Sequence, residues 1–439
     1  MLGIRRFKGN FLKGNRVDLF VNGEEFFPQL QKRIEQAEHE IFIETFILAN
    51  DKVGELLKEA LIDAAKRGVW VSITADSWGS FYLDEEYILD LTDAGVVFQI
   101  YDPQPSWYRG RPKLFRRLHR KLAVIDGRYG FIGGINLCHD HMMDFGPGGK
   151  QDYAVEVQGP VVKDMRQLCK SYVRDADDKH LGETLDNLDN PPVRGPSEIA
   201  FVSRDNRRHR SNIEKAYIDA IHAAKHRVWI ANAYFFPGYR LLSALRKAAR
   251  RGVDVRIILQ GDPDIPFSLM VARTVYEKMI RAKIQVYEFR DRPLHAKIAI
   301  IDDEWSTIGS SNLDPLSLAF NLEANIIVKC QEFNTQLAEK ITYLKQRSNL
   351  IETNWLKRRR WWLVIKDFLM YHALRHYPAV GGLFPAHLPK IRELKARVET
   401  ASGDSLDEDL REEFPESHNA RKVLAAEDYD EVNEVEKTR

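Results

Sequence analysis

Apolar residues fall into two alternating patterns along the chain, and the same series of patterns occurs twice. Residues 41–48, IFIETFIL, read as a strand; residues 56–73, LLKEALIDAAKRGVWVSI, read as an amphipathic helix stopped by Gly68 and followed by a β-branched strand. Residues 228–236, VWIANAYFF, and 241–258, LLSALRKAARRGVDVRII, repeat that reading. A further strand follows in each half, GVVFQIYDP at 95–103 and KIQVYEF at 283–289. Strands alternating with helices predict an α/β fold in which each half is a mixed sheet flanked by helices. A chain of 439 residues is long enough for two such lobes.

The boundary is visible as a change in composition. Residues 175–198 are acidic, contain proline and are poor in β-branched residues, which marks a linker between a first lobe at 1–174 and a second at 199–350. A basic, aromatic segment occupies 351–400, and an Asp- and Glu-rich stretch at 401–439 reads as disordered.

The strongest internal match lies in HRKLAVIDGRYGFIGGIN (119–136) and HAKIAIIDDEWSTIGSSN (295–312), which agree at eight of eighteen positions without a gap. Asp126-Gly127 is a hairpin turn signal, so KLAVI and YGFIGGIN should pair antiparallel, with partners whose numbers sum to about 254. His119 and Lys121, two apart on a strand, then share a face, and Asn136 returns near them. His295, Lys297 and Asn312 repeat this about a turn near Asp303. Two imidazoles, two ammoniums and two amides suit a phosphodiester. The lysines balance the charge on its oxygens, one histidine attacks phosphorus, and the other protonates the departing oxygen. A single HxK would be an unremarkable polar pair on a strand, but two intact copies are not. Asp126 and Asp302, at the strand ends, read as turn-holding residues that orient the lysines.

Composition narrows the partners. With 65 Lys and Arg against 64 Asp and Glu, the net charge is +1, which gives no whole-molecule attraction to nucleic acid. Three cysteines, Cys138, Cys169 and Cys330, are odd in number and widely spaced, as in a reducing compartment. No stretch of about 18 apolar residues appears, so the sequence predicts a chain that does not span a membrane. WYRGRPKLFRRLHRK (107–121) and WLKRRRWWLVIKDFLMYHALRHYP (355–378) combine aromatic residues with cations and suggest contact with an anionic membrane surface. CHDHMMD (138–144) reads as a polar loop, with no metal or cofactor expected.

HxKxxxxD followed by GxxN, present twice, resembles the phospholipase D superfamily. The residues that carry the resemblance are His119, Lys121, Asp126, Gly133 and Asn136, then His295, Lys297, Asp302, Gly309 and Asn312. The motif counts both aspartates in its catalytic set. The resemblance implies two lobes with the active site between them and a phosphohistidine intermediate on His119, with His295 as the acid. It also implies that carboxylates hold the histidines in a crossed sense, Asp152 with His295 and Glu323 with His119. ETFI at 44, NAYFFPGYR (232–240), RPLHAK (292–297) and GSSNLDPLSLAFNLEAN (309–325) resemble bacterial cardiolipin synthases of the B type up to about residue 390. Leu316 stands where the wider superfamily often has Arg-Ser, and Asp314-Pro315-Leu316-Ser317 looks like a B-type trait. The resemblance implies phosphatidyl transfer between two phosphatidylglycerol molecules, or from phosphatidylethanolamine, at the cytoplasmic face of the bacterial inner membrane. A phospholipase D hydrolase and, less favoured, a nuclease are the alternatives.

Overall fold

The computed structural model describes residues 7–81, 83–103, 116–173, 191–262, 266–352 and 391–394. Segments 107–115 and 355–378 and the acidic stretch from 401 lie outside the described residues, as does most of the predicted linker; Ser197 and Glu198 already open a strand.

The first repeat runs β1 (Leu12–Val21), α1 (Asn22–Glu35), β2 (Glu40–Thr45), α2 (Lys52–Lys66), β3 (Trp70–Asp76), α3 (Glu85–Asp93), β4 (Val97–Tyr101), β5 (Leu122–Ile125), β6 (Tyr129–Gly133), β7 (Tyr153–Gln158) and α4 (Val162–Lys170). The second runs β8 (Ser197–Arg204), α5 (Asn212–Ala223), β9 (Arg227–Asn232), α6 (Tyr239–Arg250), β10 (Asp254–Gln260), α7 (Pro266–Ile280), β11 (Gln285–Phe289), β12 (Lys297–Ile301), β13 (Trp305–Gly309), α8 (Pro315–Ala319), β14 (Glu323–Lys329) and α9 (Gln331–Gln346). Two short strands, β15 (Ser348–Leu350) and β16 (Ile391–Leu394), close the edges.

Strand order shows the duplication directly. From the centre outward the first half reads β1-β7-β6-β5-β2-β3-β4-β16, and the second reads β8-β14-β13-β12-β9-β10-β11-β15. In each half three strands are parallel (β2-β3-β4; β9-β10-β11) and the hairpin side is antiparallel. The halves join through the antiparallel pair β1 and β8.

Both faces of each sheet are covered, which explains the unbroken apolar runs at the motif strands. In β5, Ala123 and Ile125 pack into the helix-covered core of the first half, while Leu122 and Val124 face a core shared with the second. In β12, Ala299 and Ile301 pack under the helices of the second half, and Ile298 and Ile300 enter the shared core. Helices α4 and α9 add Val162, Met165, Leu337 and Ile341 to that shared layer. Strand β9 ends at Asn232, earlier than the apolar run to Phe236 suggests. There the Asn232 side chain accepts a hydrogen bond from Leu313 N at 3.0 Å, and Phe235 and Phe236 are buried in the loop that follows.

The first hairpin pairs in the register that sums to 254, Leu122 with Ile132 through Ile125 with Tyr129, and the second pairs about Asp303, Ile298 with Ile308 through Ile301 with Trp305. Asp126 turns the first with φ of 50° and Asp302 turns the second with φ of 51°. Each carboxylate then accepts three backbone N–H groups from the segment entering the neighbouring strand: Glu38, His39 and Glu40 at 2.8–3.0 Å for Asp126, and Lys225, His226 and Arg227 at 2.8–3.0 Å for Asp302. Asp126→Ala leaves those donors without their acceptor and should lower unfolding free energy by about 1–3 kcal/mol, measured by urea denaturation. An unchanged midpoint would show that water replaces the carboxylate at no cost.

Candidate active site

The antiparallel register carries the start of β5 and of β12 to the sheet edge where β2 and β9 end. Main-chain pairing across the halves fixes both motifs there. His119 N donates to Leu322 O at 3.0 Å and Leu322 N to Arg117 O at 2.7 Å; His295 N donates to Gln151 O at 2.8 Å and Gln151 N to Pro293 O at 2.8 Å. Each motif is thus laid against the segment just before β14 or β7 of the opposite repeat, where Glu323 and Asp152 stand.

The side chains follow the main chain. Nδ1 of His295 lies 2.6 Å from Asp152 Oδ2, and Nδ1 of His119 lies 3.1 Å from Glu323 Oε2. A carboxylate on Nδ1 selects the tautomer that leaves Nε2 for chemistry. Lys121 Nζ donates to His119 O at 2.8 Å, and Lys297 Nζ donates to His295 O. The Phe46 ring lies against His119, centroids 5.0 Å apart, and under Lys121 Nζ at 5.1 Å.

The remaining motif residues are placed as follows. Asn136 Oδ1 accepts from Ile47 N at 3.4 Å, while Asn312 Oδ1 is buried with no hydrogen-bond partner. Gly133 and Gly309 are required by close approach, since a Cβ would meet Ala154 Cα at 2.5 Å or Ala324 O at 2.3 Å. Asp126 and Asp302 do not join the group. Five strand residues, ~16 Å at strand rise, separate them from Lys121 and Lys297, and their carboxylates are used by the entries to β2 and β9. They neither act in the site nor orient the lysines.

Several contributors carry no motif signal. Asp76, at the end of β3, accepts Leu118 N at 2.8 Å and so holds the residue preceding His119. Arg120 sits between the two motif residues, points to the opposite face, and pairs with buried Glu44 at 2.5 Å. His141 is fully buried beside His295, with ring centroids 5.4 Å apart. These partners are distant in sequence, so only the register of the sheets identifies them. Cys138, Asp140 and His141 bring donor atoms within 4.8 Å of one another, and Lys150 Nζ binds the Asp140 carboxylate at 2.5 Å. All three cysteines are free.

Burial sets the electrostatics. Desolvation, aided by the two lysines, lowers the pKa of His119 and holds that of His295 well below the usual histidine range. Desolvation also brings Lys121 down to about 7 and pushes Asp152 up to about 7. For Glu323, burial acts upward, but His119, Lys121 and Ser310 outweigh it and the pKa falls. The site is short of negative charge, and a phosphodiester would supply it.

A family model described as "Cardiolipin synthase, PLD-like domain" matches residues 30–169 and 217–345, one segment in each repeat. The chain belongs to the phospholipase D-like cardiolipin synthase family. It is 44% identical over 417 residues to cardiolipin synthase B of Salmonella typhi, covering 91% of this chain and 98% of that one. It is 43% identical over 389 residues to cardiolipin synthase B of Escherichia coli K12, covering 88% and 94%. Among solved structures, the phosphatidylserine synthase of Haemophilus influenzae Rd KW20 matches with a TM-score of 0.62 at 13% identity, over 85% of this chain and 97% of that one, a likeness of fold. The chain is therefore an enzyme of a family that acts on phospholipids.

Anion binding should be proton-linked. Lys121 and the His295–Asp152 pair hold protons less firmly in the free site than beside a phosphodiester, so binding takes up protons. Affinity is then highest below about pH 7 and falls as pH rises through the free-site pKa values. Titration of His119→Ala protein with glycerophosphoglycerol, whose charge is constant from pH 5 to 9, should show affinity dropping by up to about tenfold per pH unit above 7. A flat profile would contradict this account.

Proposed function

We propose that this cardiolipin synthase transfers a phosphatidyl group between two phosphatidylglycerol molecules through a phosphohistidine on His119. The observation that carries the reading is the pair of crossed histidine–carboxylate contacts, which takes up Nδ1 of each ring and leaves each Nε2 for chemistry. His119, neutral and held by an ionised Glu323, attacks phosphorus with Nε2. His295 gives its Nε2 proton to the glycerol oxygen as the P–O bond breaks, and free glycerol leaves. His295 then takes the proton from the hydroxyl of a second phosphatidylglycerol. That oxygen attacks phosphorus, the P–N bond breaks, and cardiolipin departs with His119 regenerated. Lys121 and Lys297 balance charge on the phosphoryl oxygens, and Asn136 and Asn312, which close the two motifs, assist with their amides.

The division of roles has electrostatic support. Glu323 stays ionised and stabilises charge on a phosphorylated His119, whereas Asp152, with a pKa near 7, shares one proton with His295 around neutrality. The bond made and the bond broken are alike, so no nucleotide is needed.

A lipid substrate is favoured by the rim of the site. Of ten well-exposed large apolar side chains among the described residues, Trp78, Phe81, Met143, Phe145, Tyr239 and Leu316 lie on the loops and helix starts that follow strands ending at the histidine edge of the sheets; Leu56, Val193, Tyr343 and Leu350 are the others. Acyl chains need such a rim and nucleic acid does not. No helix among the described residues is long and apolar enough to cross a membrane. We propose that the enzyme works as a peripheral protein on the anionic cytoplasmic face of the bacterial inner membrane, with the apolar rim turned to the lipid.

Purified protein with EDTA and labelled phosphatidylglycerol in micelles should release cardiolipin and glycerol in equal amounts. Phosphatidic acid alone would make it a hydrolase. His119→Ala and His295→Ala should each abolish turnover, and with labelled phosphatidyl-p-nitrophenol, whose leaving group needs no proton, only His295→Ala should retain acid-labile phosphatidyl label on the chain. Label on His119→Ala instead would reverse the roles.

A further inference from the structure

The two carboxylates that hold the histidines are supported differently. Glu323 accepts a second hydrogen bond from Ser310 Oγ. At the equivalent place in the first repeat stands Gly134, where a Cβ would lie 2.3 Å from Asp152 Oδ1, so no serine fits there. Asp152 Oδ1 accepts its own neighbour's N–H, from Tyr153 at 2.8 Å, and Oδ2 holds His295. His141 also approaches Oδ2, with Nδ1 at 3.8 Å.

The tautomer of His141 follows from its contacts. Its Nε2 accepts Asn136 N at 3.2 Å, so the ring proton is on Nδ1, and that nitrogen is buried with no hydrogen-bond partner. A shift of about 0.8 Å brings Nδ1 to hydrogen-bond length from Asp152. Burial above all brings the His141 pKa down to about 3, so the ring is a neutral donor throughout the working range. The charged and titratable groups around the pair are Lys297 and Lys121 at the starts of β12 and β5, and Lys150 and Asp140 on the loop after β6.

We propose that His141 is a positioning residue for the acid: its Nδ1–H supports the Asp152 carboxylate at the moment His295 gives up its proton. While His295 is charged, Asp152 is neutralised by it. Once that proton has gone to the leaving oxygen, Asp152 carries an uncompensated buried charge, and a second donor there lowers the cost of the transfer. His141 thereby makes His295 a stronger acid without touching substrate. This rests on the role of His295 given above.

The test uses leaving groups of different basicity. His141→Leu removes the donor and His141→Gln retains one. With phosphatidylglycerol, whose glycerol must be protonated to leave, His141→Leu should be slower by about 10- to 100-fold, and the alkaline limb of its kcat/KM profile should move to higher pH. With phosphatidyl-p-nitrophenol, whose leaving group departs as an anion, release should stay within about threefold of the unsubstituted enzyme. His141→Gln should recover most of the phosphatidylglycerol rate. Equal losses on both substrates, or no loss on phosphatidylglycerol, would overturn the proposal. Formation of phosphatidic acid instead of cardiolipin by the unsubstituted enzyme would overturn the synthase reading alone, because release of the first alcohol is common to both reactions.

Discussion

The structure depends on an exchange: each motif histidine takes its carboxylate from the other repeat. His119 meets Glu323 and His295 meets Asp152, so neither half holds a complete histidine–carboxylate pair. The main chain enforces the exchange before any side chain does, through the reciprocal bonds of His119 with Leu322 and His295 with Gln151. Those bonds require the two sheets to meet in one register, which the shared core of Leu122, Val124, Ile298, Ile300, Ile308 and Ile326 sets. Packing of methyl groups between the sheets therefore positions both imidazoles.

Gathering two lysines and two histidines at a buried edge is unfavourable unless an anion joins them. Crossed carboxylates offset part of that cost, and depressed proton affinity of the cationic groups offsets more. The remaining deficit is what the phosphodiester fills. Binding and proton loading are consequently one event, and a protein free of substrate keeps His119 neutral, as a nucleophile must be.

Much of this was legible in the sequence because the signal came twice. The hairpin centred at Asp126-Gly127 implies the observed Leu122–Ile132 register, since a tight turn leaves one pairing that keeps Ala123 and Ile125 on one face. The aspartates were harder. Their spacing from the histidines suggests a shared site, yet strand rise carries them to the far end of the hairpin, where three backbone N–H groups absorb each carboxylate. Asp76, Glu44 and His141 were not legible at all. Asp76 acts on Leu118 across 42 residues, and Glu44 on Arg120 across 76. His141 sits in a loop whose Cys, Asp and His suggest only polar exposure, although its ring is wholly buried.

Duplication explains why there are two histidines, but it does not explain why they behave differently. An exact repeat would give both rings the same proton affinity, and attack and protonation need opposite states at one pH. The difference enters through small substitutions around an unchanged frame. Glu323 with Ser310 has two side-chain donors and a lowered pKa, whereas Asp152 beside Gly134 has a shorter reach, no hydroxyl and a pKa near 7. The first arrangement stabilises a permanent anion behind a nucleophile. The second lets a proton reside between Asp152 and His295, which in the proposed reaction leaves to the glycerol oxygen. The frame supplies the symmetry that gives each imidazole a carboxylate from the other repeat, and in the proposed reaction the residues that break that symmetry decide which imidazole attacks.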